Sequence, residues 1–135
     1  MATSKVTYTT DLRCESEHIQ SGTIIITDAP TDNHGKGAAF SPTDLCATSL
    51  AQCMLTTIAI LGKDKGITID GSYAEVQKNM NPKPRKIAEV ICDLQIKGDF
   101  SPEQKSFIEE TALNCPVALS LSADLKKTIS FKYDN

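Results

Sequence analysis

The residues of this 135-residue chain most able to do chemistry are its five cysteines, Cys14, Cys46, Cys53, Cys92 and Cys115. A cysteine can fill a core as a small hydrophobe, hold a metal, or act as a redox nucleophile through its thiolate. With only His18 and His34 in the chain, no Cys/His cluster has zinc-ligand spacing, and no metal site is expected. The odd count fits no disulfide framework, so most of the thiols should be free in a reducing compartment.

Taken singly, the cysteines differ. Cys92 falls on the apolar side of an alternating stretch, and Cys14 shares parity with Leu12; both read as packing. Cys46 lies seven residues before Cys53, on the same face of a helix, and also reads as packing. By position alone Cys53, among Leu50, Met54 and Thr57, would be a core residue too. Cys115 stands between Asn114, a good helix cap, and Pro116, a good first helical residue. A thiol there feels the positive end of a helix dipole, which lowers its pKa. Local chemistry therefore nominates Cys115 as the better thiolate, with a structural and a redox role both open.

The elements that must position these thiols can be read from patterning. Residues 5–10 are rich in Thr, Val and Tyr and read as a strand that continues through 11–19 to a turn at Ser21 and Gly22, followed by a short strand over 23–27. Residues 29–40 form a loop punctuated by Pro30, Gly35 and Gly37. The stretch Asn33-His34-Gly35-Lys36-Gly37 lacks the ending of a phosphate loop, and no serine-centred nucleophile elbow is present. Ser41, Pro42 and Asp44 then open a helix predicted to run to Lys65, where Gly66 stops it. Residues 67–80 and 85–97 read as paired strands around the turn 81–84. In the second, Val90, Cys92, Leu94 and Ile96 alternate with polar residues, interrupted by Ile91. Ser101 and Gln104 form a capping-box signature for a helix to about Asn114. A short helix opens at Cys115 and Pro116, and residues 128–133 alternate as a closing strand. This order predicts one α+β domain over residues 1–135 with antiparallel pairing.

Composition sets the outer bounds. A net charge of -3 with pI near 5.3 carries no basic nucleic-acid footprint. Residues 45–62 hold no charge, yet include Thr48, Ser49, Gln52, Thr56 and Thr57, so a buried central helix is expected rather than a membrane span. The polar first ten residues lack a signal-peptide core, and a cytoplasmic location is expected.

Two segments carry a family resemblance. Phe40-Ser41-Pro42-Thr43-Asp44-Leu45-Cys46-Ala47-Thr48-Ser49-Leu50-Ala51-Gln52-Cys53-Met54-Leu55-Thr56-Thr57 resembles the start of the central helix of OsmC/Ohr proteins. Asn114-Cys115-Pro116-Val117-Ala118-Leu119-Ser120-Leu121-Ser122 resembles that family's second cysteine motif, 62 residues after the first. The likeness extends to Lys63-Asp64-Lys65-Gly66-Ile67 and the closing strand, nearly the whole chain. It implies an intertwined homodimer with antiparallel sheets wrapped around long central helices. It also implies a thiol peroxidase for organic hydroperoxides: Cys53 would become a sulfenic acid, Cys115 would close a disulfide with it, and a lipoyl-type dithiol would reduce the pair. No cofactor, nucleic acid or membrane partner is implied.

Family peroxidases support the thiolate with an Arg from the N-terminal strands, held by a Glu near the start of the central helix. Arg13 lies in the matching region, although its strand parity groups it with Glu15 and Glu17, so a catalytic role and an exposed surface charge both stay open. The place of the Glu holds Thr43, with Asp44 beside it. That departure keeps a second class of function in view: a non-catalytic OsmC-like stress protein holding a hydrophobic small molecule at the dimer interface. A third reading, a generic α+β domain with buried cysteines, requires both motifs to match by chance.

Overall fold

The computed structural model describes residues 1–134. The chain divides into two compact units, Met1–Cys46 and Ala47–Asn135. The first unit is built on a three-stranded antiparallel sheet, β1 (Ser4–Thr10), β2 (Arg13–His18) and β3 (Ile24–Asp28), in the order β1-β2-β3. The Thr- and Val-rich opening does not run unbroken to residue 19 as its composition suggests. Asp11 and Leu12 turn the chain with φ of 52° and 63°, and the Leu12 N–H donates to the Tyr8 hydroxyl at 3.2 Å. Neither residue is glycine, so propensity gives little warning of a left-handed turn there. The second turn contains Ser21 and Gly22 as read from sequence, with Gly22 at φ 75°.

Helix α1 (Pro42–Gly62) leaves the first unit and enters the second. Its start is fixed by a reciprocal cap: the Asp44 N–H donates to the Ser41 hydroxyl at 3.1 Å, and the Ser41 N–H donates to the Asp44 carboxylate at 3.0 Å. Regular α-helix ends at Gly62. Residues 63–65 tighten into a 3-10 turn, and Gly66 closes it at φ 70°. A Cβ on Gly62 would lie 2.9 Å from the Cβ of Ile67, so the glycine permits the chain to fold back closely. The helix is long and apolar enough to pass a length-and-composition test for a membrane span, a test that core helices also pass. It buries one side, including Leu50, Met54 and Ile58, while Ile60 and Leu61 remain exposed.

The second unit carries a sheet of β4 (Tyr73–Pro82), β5 (Arg85–Lys97) and β6 (Lys126–Asp134), with α2 (Pro102–Leu113) and the short α3 (Pro116–Ser120) between β5 and β6. Residues 67–72 are not strand, so β4 starts later than its sequence suggests. β4 and β5 form an antiparallel hairpin, with a register shift between Asn79 and Met80 that leaves Ala88 out of the pairing. The alternation in β5 works as predicted: Val90, Cys92, Leu94 and Ile96 are buried in one cluster with Leu50, Met54, Ile58, Ile108, Ala112 and Cys115. Each such large side chain contributes about 1.5–3 kcal/mol by leaving water.

The expectation of antiparallel sheets throughout is corrected at β6, which pairs with β5 in parallel. The connection through α2 and α3 carries the chain back to the start of β5 before β6 begins, as parallel pairing requires. The α2 start matches its signature: Ser101 and Gln104 form a complete capping box.

Candidate functional site

Cys53 projects from the middle of α1 and is half-buried; Cys115 caps the N-terminus of α3 and is fully buried. Folding brings the two together within the second unit. The two thiols are near enough for each to bear on the other's acidity, and both are free. The Cys53 sulfur also accepts the Val117 backbone N–H at 3.4 Å and lies 3.7 Å from the Thr57 hydroxyl. Val117 lies in the first turn of α3, so the positive helix end that the sequence places at Cys115 also reaches Cys53.

The acidities follow from this placement. Burial is the largest single influence on Cys53 and opposes ionisation. The Val117 amide, the Thr57 hydroxyl and the Cys115 thiol together outweigh it and hold Cys53 below its ordinary value. At Cys115 burial dominates and raises the pKa; the Ala118 amide offsets this only in part, and the neighbouring Cys53 raises it further. The sequence-level ranking of the two thiols is thus reversed: Cys53 is the more acidic. Helix position predicts the location of a polar amide, but only the fold decides which sulfur occupies it.

The remaining cysteines stand apart from this arrangement in character. Cys92 is fully buried on β5, and burial, with smaller effects from Asp93 and Cys115, pushes its thiol up to about 11. Cys14 and Cys46 are half-buried in the first unit.

Within the first unit, Arg13 stands directly across from Asp28 in the β2–β3 register. Its Nε donates to Asp28 Oδ1 at 2.6 Å and its Nη2 to Oδ2 at 2.9 Å, a two-pronged pair. Asp28 is 2 % exposed, and the Ala38 N–H also donates to its Oδ2 at 3.1 Å. The Arg13 hydrogen bond leads the causes that hold the Asp28 carboxyl below the usual range. The sequence offers Asp44 as a neighbour able to replace the family Glu or as a first-turn dipole partner; Asp44 caps α1 through Ser41. Sequence reasoning misses Asp28, whose only signal is its closing position in the short β-branched run before Pro30.

The OsmC-like protein family model matches residues 34–130. A crystal structure of a Psychrobacter arcticus protein, described as an osmotic stress induced and detoxification response protein, is 48 % identical. It aligns over 98 % of this chain and 96 % of its own with a TM-score of 0.94. A fold joining two such sheets to a long helix, with a cysteine at mid-helix against a second at a helix cap, is the arrangement found here; the chain belongs to the OsmC/Ohr family. The Legionella pneumophila organic hydroperoxide resistance protein OsmC shares the fold at 17 % identity, covering 98 % of each chain with a TM-score of 0.73. OhrB of Bacillus subtilis, an organic hydroperoxide resistance protein, shares it at 18 % identity, over 97 % of this chain and 98 % of its own, with a TM-score of 0.66. No curated protein matches the chain.

Proposed function

We propose that the protein is a thiol peroxidase for organic hydroperoxides, in keeping with the redox role that its family membership supports. One observation carries the reading: a half-buried cysteine whose sulfur accepts the Val117 N–H, stands 3.7 Å from the Thr57 hydroxyl and lies beside a second cysteine 62 positions away. Such bonding favours a thiolate at Cys53 and keeps Cys115 a protonated thiol beside it.

In the proposed cycle the Cys53 thiolate attacks the peroxide O–O bond. One oxygen passes to sulfur as sulfenic acid; the other leaves as alkoxide and takes a proton to become an alcohol. Cys115 then attacks the Cys53 sulfur, an S–S bond forms, and water leaves. A dithiol of lipoyl type reduces the disulfide and is itself oxidised to a cyclic disulfide. Arg13 is proposed to supply the cation that favours the thiolate and the developing alkoxide.

The proposed working unit is a homodimer. Val6, Tyr8, Ile24, Ile25 and Ile26 are exposed on the first sheet, as are Ile60 and Leu61 on α1, apolar surface that a second copy would cover. A cytoplasmic location fits a cycle that needs reduced thiols at its start.

The test is a thiol titration. One equivalent of cumene hydroperoxide should remove two of the five thiols of the reduced protein. Cys53→Ser should lose none at that dose. Cys115→Ser should lose one and bind dimedone, the trap for a sulfenic acid that has no partner. Retention of all five thiols by the wild type would show that the peroxidase reading is wrong.

A further inference from the structure

We propose that Asp28 is the positioning residue for Arg13 in peroxide reduction, replacing from β3 a carboxylate that the family carries on the central helix. This rests on the role given to Arg13 above. The position of the family Glu is Thr43, whose hydroxyl lies 3.2 Å from the Ser41 hydroxyl at the start of α1, and its neighbour Asp44 closes the helix cap. Asp28 instead meets both Nε and Nη2 of Arg13, at 2.6 and 2.9 Å.

The Asp28 carboxylate is fixed independently of Arg13. It sits at the end of a β-strand; its backbone N–H bonds the Phe40 carbonyl at 3.1 Å, and the Ala38 amide bonds its Oδ2 at 3.1 Å. Buried to 2 % exposure, it has little freedom to follow a moving guanidinium. A side-on pair fixes the plane of the guanidinium as well as its distance, because two parallel bonds allow no swivel. Asp28 takes two of the five N–H donors, and 36 % of the Arg13 side chain stays accessible. The arrangement suits a cation held at one angle toward an incoming oxygen.

The experiment measures the rate at which cumene hydroperoxide oxidises Cys53 in fully reduced protein, for wild type, Arg13→Ala, Asp28→Asn and the double variant, with a thermal melt of each. We expect Arg13→Ala and Asp28→Asn each to slow oxidation at least tenfold, and the double variant to be no slower than Arg13→Ala, since Asp28 then has nothing left to position. Asp28→Glu keeps the charge but moves it by one methylene; it serves if Asp28→Asn fails to fold, and it should also be slow while melting near wild type. Wild-type rates in Asp28→Asn or Asp28→Glu beside a slow Arg13→Ala overturn the proposal. So do multiplying losses in the double variant, which would make Asp28 act independently. A fast Arg13→Ala overturns both this assignment and that of Arg13 but leaves the cysteine cycle standing. A wild type that loses no thiols removes the cycle itself.

Discussion

At the scale of single residues, the decisive contact is the Val117 amide on the Cys53 sulfur. It makes two cysteines of the same core region unequal, and the inequality is measurable. With limiting iodoacetamide near pH 7, alkylation should fall first on Cys53, with Cys115 and Cys92 protected by burial and raised pKa; peptide mapping reads the order, and first labelling at Cys115 would reverse the assignment. Cys92 makes a second prediction. Its thiol keeps its proton in the folded state up to about 11, whereas an unfolded thiol releases it near the ordinary 9.0. The folded state then holds the extra proton, so stability is intact below pH 9.0 and declines as pH rises to about 11. Each tenfold difference in acidity between the folded and unfolded thiol is worth about 1.4 kcal/mol, so the loss is roughly 2–3 kcal/mol. Urea unfolding across that range should show it, and Cys92→Ala should flatten the slope while leaving the paired thiol loss to hydroperoxide intact.

At the scale of elements, the helix starts are secured by side chains that the sequence displays openly. Ser101 caps α2 with Gln104 returning the bond, and Gln104 also reaches the Lys65 carbonyl at 3.4 Å. Ser101→Ala should cost about 1 kcal/mol, read as a lower urea midpoint with an unchanged slope. Gly62→Ala should cost more than its improved helix propensity returns, because the new Cβ meets Ile67 at 2.9 Å. The same logic explains which element boundaries were legible. The alternation of Val90, Cys92, Leu94 and Ile96 announces β5, and Gly66 announces the end of the helical path. The turn at Asp11 and Leu12 is harder to read, since Asp tolerates the left-handed region but Leu rarely adopts it.

At the scale of the whole molecule, the first sheet leaves much of its surface uncovered. β1 is exposed along its full length, and Ile24, Ile25 and Ile26 stand open on β3. The proposed dimer would cover such surface. Ile25→Asp is therefore expected to weaken self-association at least tenfold, about 1.4 kcal/mol. Light scattering against dilution measures it; a wild type that is monomeric at every concentration would remove the dimer from the proposal.

The sequence by itself determined the helix caps, the buried face of β5, the α+β order and the two cysteine motifs that place the chain in its family. All of these depend on neighbours within a few residues or on short patterns. Only the tertiary structure decided the parallel pairing of β6 on β5, the more acidic thiol of the pair, and the carboxylate that holds Arg13. Each depends on groups far apart in sequence: Val117 on Cys53 across 64 positions, Asp28 on Arg13 across 15. A chain's local chemistry determines what each residue can donate or accept. Which partner receives it is settled when distant segments pack, because burial then makes an unmet polar group costly and a met one directional.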